Sequence, residues 1–342
     1  MKKPKILVLG PMPNQNGQSV GGVAEFDVSV ARALSEHFEV TVLTTSDNPV
    51  MPSRVEVIKT GWLSMLKQIK AYAPDLIISS LHYSFIAARY NQAKKIHFVH
   101  GFVTRTDYSV LKRWIWDQLN HQIQKKFDLQ IGNSFFTQMI NEKMLGNPVD
   151  AVVPLPVNQA FYQEYKIGPR AYDYIFAGRL VAAKGLDKVI RALALLPREQ
   201  SLLVVGDGVE RANYEQLARK LGVHVTFTGA MDRLHLIEYY RQAKVFISLN
   251  SAEPFGLTYI EALSQGCKVL SPVTGGQVEN LLRFKDNVAF LYGDGIHEIA
   301  DQMQSLLKRE VSPVTTAQIK VLYSYDAFST KLIKIFKGAN LL

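Results

Sequence analysis

Several things are scarce in this sequence, and each shortage narrows its reading. It has a single cysteine, Cys267, so neither a disulfide framework nor a thiolate metal cage can be built within it, and a reducing, cytoplasmic setting is expected. No apolar run approaches the roughly 20 residues that span a bilayer. The N-terminal lysines (Lys2, Lys3, Lys5) are interrupted by Pro4, and the apolar run from Ile6 to Leu9 is too short for a signal sequence, so it reads as a first strand. No G-x-G-x-x-G follows that strand, and Gly206-Asp-Gly208 lacks a third glycine and reads as a turn. Low-complexity segments and repeats of solenoid length are absent. There is also no Arg/Lys-rich run interleaved with aromatics, which excludes nucleic acid as an expected partner.

What is present describes an ordinary globular chain, 47% hydrophobic with a mean hydropathy of zero. At 342 residues it exceeds the usual limit of a single core, so two domains are expected. The net charge is +9. Residues 1–170 hold 19 Lys and Arg against 13 Asp and Glu, the remainder 20 against 17, so the first half is the more basic. That surplus suits an anionic membrane or acidic glycan, and equally a plain solvated surface.

Short apolar strands alternate with helical patterns throughout. In the first half strands are expected at 5–10, 39–44, 55–58, 75–80, 96–100 and 129–132, with helices at 23–37, 108–127 and 135–145. The segment 151–170, with three prolines, reads as a linker. The second half repeats the grammar, with strands at 173–178, 201–206, 223–229, 245–249 and 269–271 and helices at 184–196, 211–221, 234–242, 255–265 and 278–283. The fold class is therefore α/β: two Rossmann-like open parallel-sheet domains, 1–160 and 161–315, facing a central cleft. A last segment, 316–342, carries a helix near 326–337 that could return to the N-terminal domain.

Candidate chemistry gathers at the strand-to-helix turns. Glu253-Pro-Phe-Gly-Leu-Thr-Tyr-Ile-Glu261 joins an apolar strand to a helix, and the free N–H groups from Phe255 through Gly256 and Leu257 to Thr258 offer a phosphate site flanked by two acids. Gly178-Arg179 and Lys184-Gly185 place two cations on one such turn, where they can converge on a diphosphate or simply be surface charges. Gly21-Gly22-Val23 and Thr274-Gly275-Gly276 are glycine-rich turns of the kind that admits a ligand to the backbone, although a structural glycine pair explains the first as well. His100 ends an apolar strand, where ligands bind in such sheets; a lone histidine there is more often structural.

Together these pieces resemble the retaining, nucleotide-sugar-dependent glycosyltransferases of the GT-B fold, family four (glycosyl transferases group 1). The resemblance rests on Glu253 and Glu261 in E-x7-E, on Phe176-Ala-Gly-Arg-Leu180 with Lys184-Gly185, on Gly275-Gly-x-x-Glu279, and on Gly21-Gly22-Val23 and His100-Gly101. It covers roughly 5–307. It implies a hexosyltransferase in which Arg179 and Lys184 hold the donor diphosphate, Glu253 a sugar hydroxyl and Glu261 the ribose. His100 would lie beside the transferred sugar, and Gly22 would let the first domain approach phosphate or acceptor. The implied partners are a UDP- or GDP-linked sugar and a glycan or lipid-linked acceptor, in cell-surface polysaccharide or lipopolysaccharide biosynthesis. No cofactor is implied, and no Asp-x-Asp occurs anywhere, which fits metal-independent transfer. The chain departs from the family at Pro154-Leu-Pro-Val-Asn158, where a turn ending in Asp is usual, and at Ser264-Gln-Gly-Cys-Lys-Val269. Rival readings are a sugar-nucleotide epimerase of the same architecture and a non-catalytic nucleotide-binding partner protein.

One further segment stands apart. From Tyr108 through Trp114 and Trp116 to Phe127 an apolar stripe runs beside Lys112, Arg113, Lys125 and Lys126. Such a helix can lie on an anionic membrane, giving peripheral contact. The competing expectation is a helix facing the core of the first domain.

Overall fold

The computed structural model describes residues 3–14, 22–101, 109–166, 168–197 and 199–341; Gly21 and Tyr108 of the motifs above lie outside them. The chain forms two compact units. One runs to Pro156 and resumes at Tyr323, and the other is Val157–Leu322.

The first unit is built on β1 (Lys5–Leu9), β2 (Glu39–Thr44), β3 (Glu56–Lys59), β4 (Leu76–Ser80), β5 (Lys94–Val99), β6 (Leu129–Gly132) and β7 (Ala151–Val152). These are all parallel, in the order β3-β2-β1-β4-β5-β6-β7. Central strands are covered on both faces, which is why Ile6, Leu7, Val8 and Leu9 form a continuous apolar run rather than an alternation. The second unit repeats the plan with β8 (Tyr172–Ala177), β9 (Ser201–Val205), β10 (His224–Gly229), β11 (Ala243–Ile247), β12 (Lys268–Pro272) and β13 (Val288–Leu291), in the order β10-β9-β8-β11-β12-β13. Each sheet grows outward from its first strand and then jumps back past it. The carboxyl ends of β1 and β4, and of β8 and β11, are therefore the topological switch points where ligands bind in open sheets.

The two Rossmann-like sheets match the expected α/β class, with differences in detail. The proline-rich segment is not all linker. Its first residues pair with β6 as β7, and Val153, Leu155, Val157 and Phe161 are buried. Unit boundaries fall at 156/157 and 322/323 rather than 160/161 and 315/316. Strand β13 and the helices Trp62–Tyr72 and Ile296–Lys308 were not among the expected elements, although Ile299, Ala300, Met303 and Leu306 recur at helical spacing and are buried. The last helix, Tyr325–Gly338, packs within the first unit, with Phe328 edge-on to Phe26 at 5.9 Å.

The helix Val110–Gln124 does not face the core along its apolar stripe. Val110 (76% exposed), Leu111 (67%), Trp114 (58%), Ile115 and Leu119 all lie at the surface, while Trp116 turns inward against Phe85 at 5.5 Å.

Candidate active site

At the switch point of the second sheet the loops after β8 and β11 are stitched together. Gly178 leaves β8 at a φ of 149°, and the stem of Lys184 lies 3.4 Å from where a Cβ would stand, so the glycine makes room for that lysine. The Gly178 N–H donates to the Val205 carbonyl at 3.0 Å and the Leu180 N–H to that of Asp207 at 2.9 Å. A short turn, Ala182–Lys184, is closed by Gly185 in the left-handed region (φ 66°), and the Leu249 N–H donates to the Lys184 carbonyl at 3.2 Å.

This places Lys184 Nζ 3.5 Å from Glu253 Oε2, both side chains being mostly buried. Asn250 Nδ2 donates to the same oxygen at 2.8 Å, and the Ala252 N–H donates to Asn250 Oδ1 at 3.1 Å. The Glu253 carbonyl accepts the Gly276 N–H at 2.7 Å, so the glutamate loop is tied to the glycine-rich turn. Arg179, on the same turn as Lys184, is exposed and makes no ion pair among the described residues. An exposed guanidinium beside a partly desolvated ion pair suits a polyanionic ligand.

The helix that follows is Leu257–Ser264, starting two residues later than expected. Gly256 caps it at a φ of 85°. A Cβ there would stand 2.5 Å from Gln277 Cβ and 2.9 Å from the Tyr259 ring, so only glycine fits. Phe255, expected within the first turn, is instead a buried residue ahead of the cap, and its carbonyl accepts from Asn280 Nδ2 at 3.3 Å. The amides of Leu257 and Thr258 have no intrahelical acceptor and carry the positive end of the helix dipole. Glu261 lies in the second turn and is only 2% exposed. Glu253 is thus held in a charged network on the loop, while Glu261 is set inside the helix packing.

Sequence reasoning missed Gln277. It is fully buried, and Nε2 donates to the Thr274 carbonyl at 2.7 Å and to Ser271 Oγ at 3.2 Å. Gly275, at a φ of 105°, is needed because a Cβ would collide with the Gln277 amide. An amide next to the Gly-Gly pair was the only available signal.

In the first unit Gly22 opens the helix Gly22–Ser35. His100 follows β5 directly. Its ring meets Phe26 edge-on at 4.6 Å and Phe98 at 6.3 Å, and its carbonyl accepts from Asn133 Nδ2 at 3.1 Å. Burial, and then the neighbouring His97, push its pKa down to about 3, so it is a neutral imidazole. His97 is itself pushed down by burial to about 4, and its Nδ1 shares a hydrogen bond with Ser84 Oγ at 2.8 Å.

A second residue that the sequence reading missed lies at the switch point of this sheet. Asp27 is 2% exposed and accepts from Ser80 Oγ at 3.0 Å, at the end of β4. Its carboxyl packs against Gly10, at the end of β1, where any Cβ would collide with it. Burial raises its pKa well above the usual carboxylate range, an effect that the Ser80 hydrogen bond only partly offsets. The signal was an acid in the core register of the stripe Ala24, Val30, Ala31 and Leu34.

Residues 158–319 match the family described as glycosyl transferases group 1. An uncharacterized glycosyltransferase of Methanocaldococcus jannaschii is 31% identical over 175 residues, 48% of this chain and 44% of that protein. The chain thus spans less than half the length of this curated relative. Among solved structures, Anabaena HepE in complex with UDP and glucose superposes with a TM-score of 0.78 at 18% identity, covering 98% of this chain and 99% of that one. WaaG, a glycosyltransferase involved in lipopolysaccharide biosynthesis, superposes with a TM-score of 0.70 at 17% identity, covering 97% and 100%. The second unit thus matches the glycosyl transferases group 1 family along nearly all of its length, in a chain with the GT-B fold of two parallel-sheet α/β units.

Proposed function

We propose that the protein is a retaining hexosyltransferase that moves a sugar from a UDP- or GDP-linked donor to a hydroxyl of a glycan or lipid-linked acceptor. The acceptor belongs to cell-surface polysaccharide or lipopolysaccharide synthesis, and the enzyme works in the cytoplasm in peripheral contact with an anionic membrane. One observation carries this reading. At the second switch point a lysine and a glutamate are paired, with an exposed arginine on the same turn and the Gly256-capped helix next along the chain.

In this reading the donor diphosphate is held by Arg179, Lys184 and the amides of Leu257 and Thr258. These groups are already oriented and stabilise the negative charge that develops on the leaving diphosphate. Their charge takes the place of a metal ion. As the phosphate engages Lys184, Glu253 keeps its Asn250 partner and its second oxygen accepts from a sugar hydroxyl. Glu261 accepts from the ribose. Since neither acid is left as a nucleophile, the acceptor hydroxyl attacks the anomeric carbon from the face the diphosphate leaves. The bond from that carbon to the phosphate oxygen breaks, and the departing oxygen takes the acceptor proton. Neutral His100 suits a contact with an uncharged sugar. UDP complexes of HepE support a nucleotide donor.

Thermal-shift screening with UDP, GDP and ADP tests the reading. A shift with one of them, weakened in Glu261→Ala, is expected. The absence of a shift with all three would remove the donor site.

A further inference from the structure

The first unit has a second concave feature, at the edge of its sheet opposite the switch point. A pocket of about 510 Å³ is lined by Lys94 and Lys95 at the start of β5, Lys125 and Lys126 after the helix Val110–Gln124, and Asp75 and Asp128 at the starts of β4 and β6. β5 separates it from His100 by six residues, roughly 20 Å at ~3.3 Å per residue, so it is no part of the site described above.

Its charges are not balanced from within. Asp128 Oδ2 accepts the backbone N–H of Lys95 at 2.8 Å and Oδ1 accepts from Lys94 Nζ at 3.2 Å, while Asp75 accepts the Lys5 N–H at 2.8 Å. Lys95 is only 7% exposed, yet its ammonium has one hydrogen-bond partner among the described residues, Asn91 Oδ1 at 3.5 Å. Burial lowers the pKa of this amine, Asp128 pulls it back up and the like charge of Lys126 lowers it again. Lys125 and Lys126 are exposed and make no ion pair among the described residues. With four lysines against two carboxylates, both already accepting hydrogen bonds, this concave site keeps a positive surplus that an anion would complement.

The chain running into this pocket carries the exposed apolar stripe of Leu111, Trp114, Ile115 and Leu119. Lys125 and Lys126 follow directly on the last turn of that helix. A free phosphate would fill the pocket and leave that stripe in water, whereas an acidic phospholipid satisfies both.

We propose that the pocket formed by Lys94, Lys95, Lys125 and Lys126 binds the phosphate headgroup of an acidic phospholipid, while the outward face of the helix Val110–Gln124 enters the same leaflet. This rests on the peripheral contact included in the proposed function and gives it a specific headgroup site.

Flotation of the full chain with vesicles of phosphatidylcholine, alone or with phosphatidylglycerol, tests it. Binding is expected only with phosphatidylglycerol. Lys95→Met should weaken it roughly fivefold, as expected for about 1 kcal/mol per lysine, and Lys125→Glu with Lys126→Glu should weaken it further. Lys220→Met, the same charge change in the other unit, should leave it unchanged. The proposal is overturned by equal binding to neutral vesicles, or by equal weakening in Lys95→Met and Lys220→Met, which would leave only diffuse charge. It is also overturned by a Lys95-dependent thermal shift with inorganic phosphate and no vesicle binding, which would make this a soluble-phosphate site. Nucleotide thermal shifts should persist in every variant, so failure of the headgroup site and failure of the donor site are read separately.

Discussion

The two sheets share one strand order, yet their switch points are filled in opposite ways. Between β8 and β11 stands a lysine–glutamate pair with a second oxygen and an exposed arginine left to act. Between β1 and β4 stands a buried carboxyl that burial holds toward its neutral form, locked between Gly10 and Ser80. The same topology thus yields a site for charge in one unit and a plugged one in the other. Local surroundings decide which: Glu253 has a cation and an amide beside it, whereas Asp27 faces a hydroxyl and a backbone, and burial pushes its pKa up.

The contrast can be broken at several points, starting with the strongest. Gly256→Ala should cost about 3 kcal/mol or more in urea unfolding, since it adds left-handed strain to a clash with Gln277 and Tyr259. Gly10→Ala should cost less, about 1–3 kcal/mol, because it meets the Asp27 carboxyl without the left-handed backbone that strains Gly256.

Charge should matter for nucleotide in one unit only. Lys184→Ala is expected to lower nucleotide affinity about ten- to hundredfold by calorimetry, the size of a lost charge-assisted hydrogen bond. His100→Ala should leave nucleotide affinity unchanged. An equal loss in both would dissolve the distinction.

Acid should act through the first unit. His97 and His100 have folded-state pKa values of about 4 and about 3, against about 6.5 unfolded, so between these limits the unfolded chain binds more protons and stability falls as pH falls. Each histidine contributes up to about 1.4 kcal/mol per pH unit in that window, visible as a falling Tm. Asp27 works the other way. Its raised pKa means the folded chain holds a proton that the unfolded chain has lost, so its contribution falls as pH rises above about 4 toward the raised value. Asp27→Asn should therefore raise Tm at pH 8 relative to the parent and make little difference at pH 4, the smallest of these effects.

Much of this was legible in the residues. Apolar strands at regular intervals, separated by helical periods, determined the α/β class and two sheets. Glycine beside a cation or an acid after a strand marked Arg179, Lys184 and Glu253, because only a few residue types tolerate those turns and carry charge there. Other features depended on neighbours far along the chain. The pairing of Lys184 with Glu253 joins residues 69 apart, and Asp27 meets Ser80 across 53. The apolar stripe after Val110 had the same periodicity whether it faced core or solvent, and only packing left Trp114 exposed and set a half-buried Trp116 against Phe85. Sequence determined which segments become strands and which turns carry charge, since those follow from local sterics and periodicity. Tertiary structure decided which charges are paired, which are neutralised and which apolar face is left open, since each depends on water excluded by residues distant in the chain.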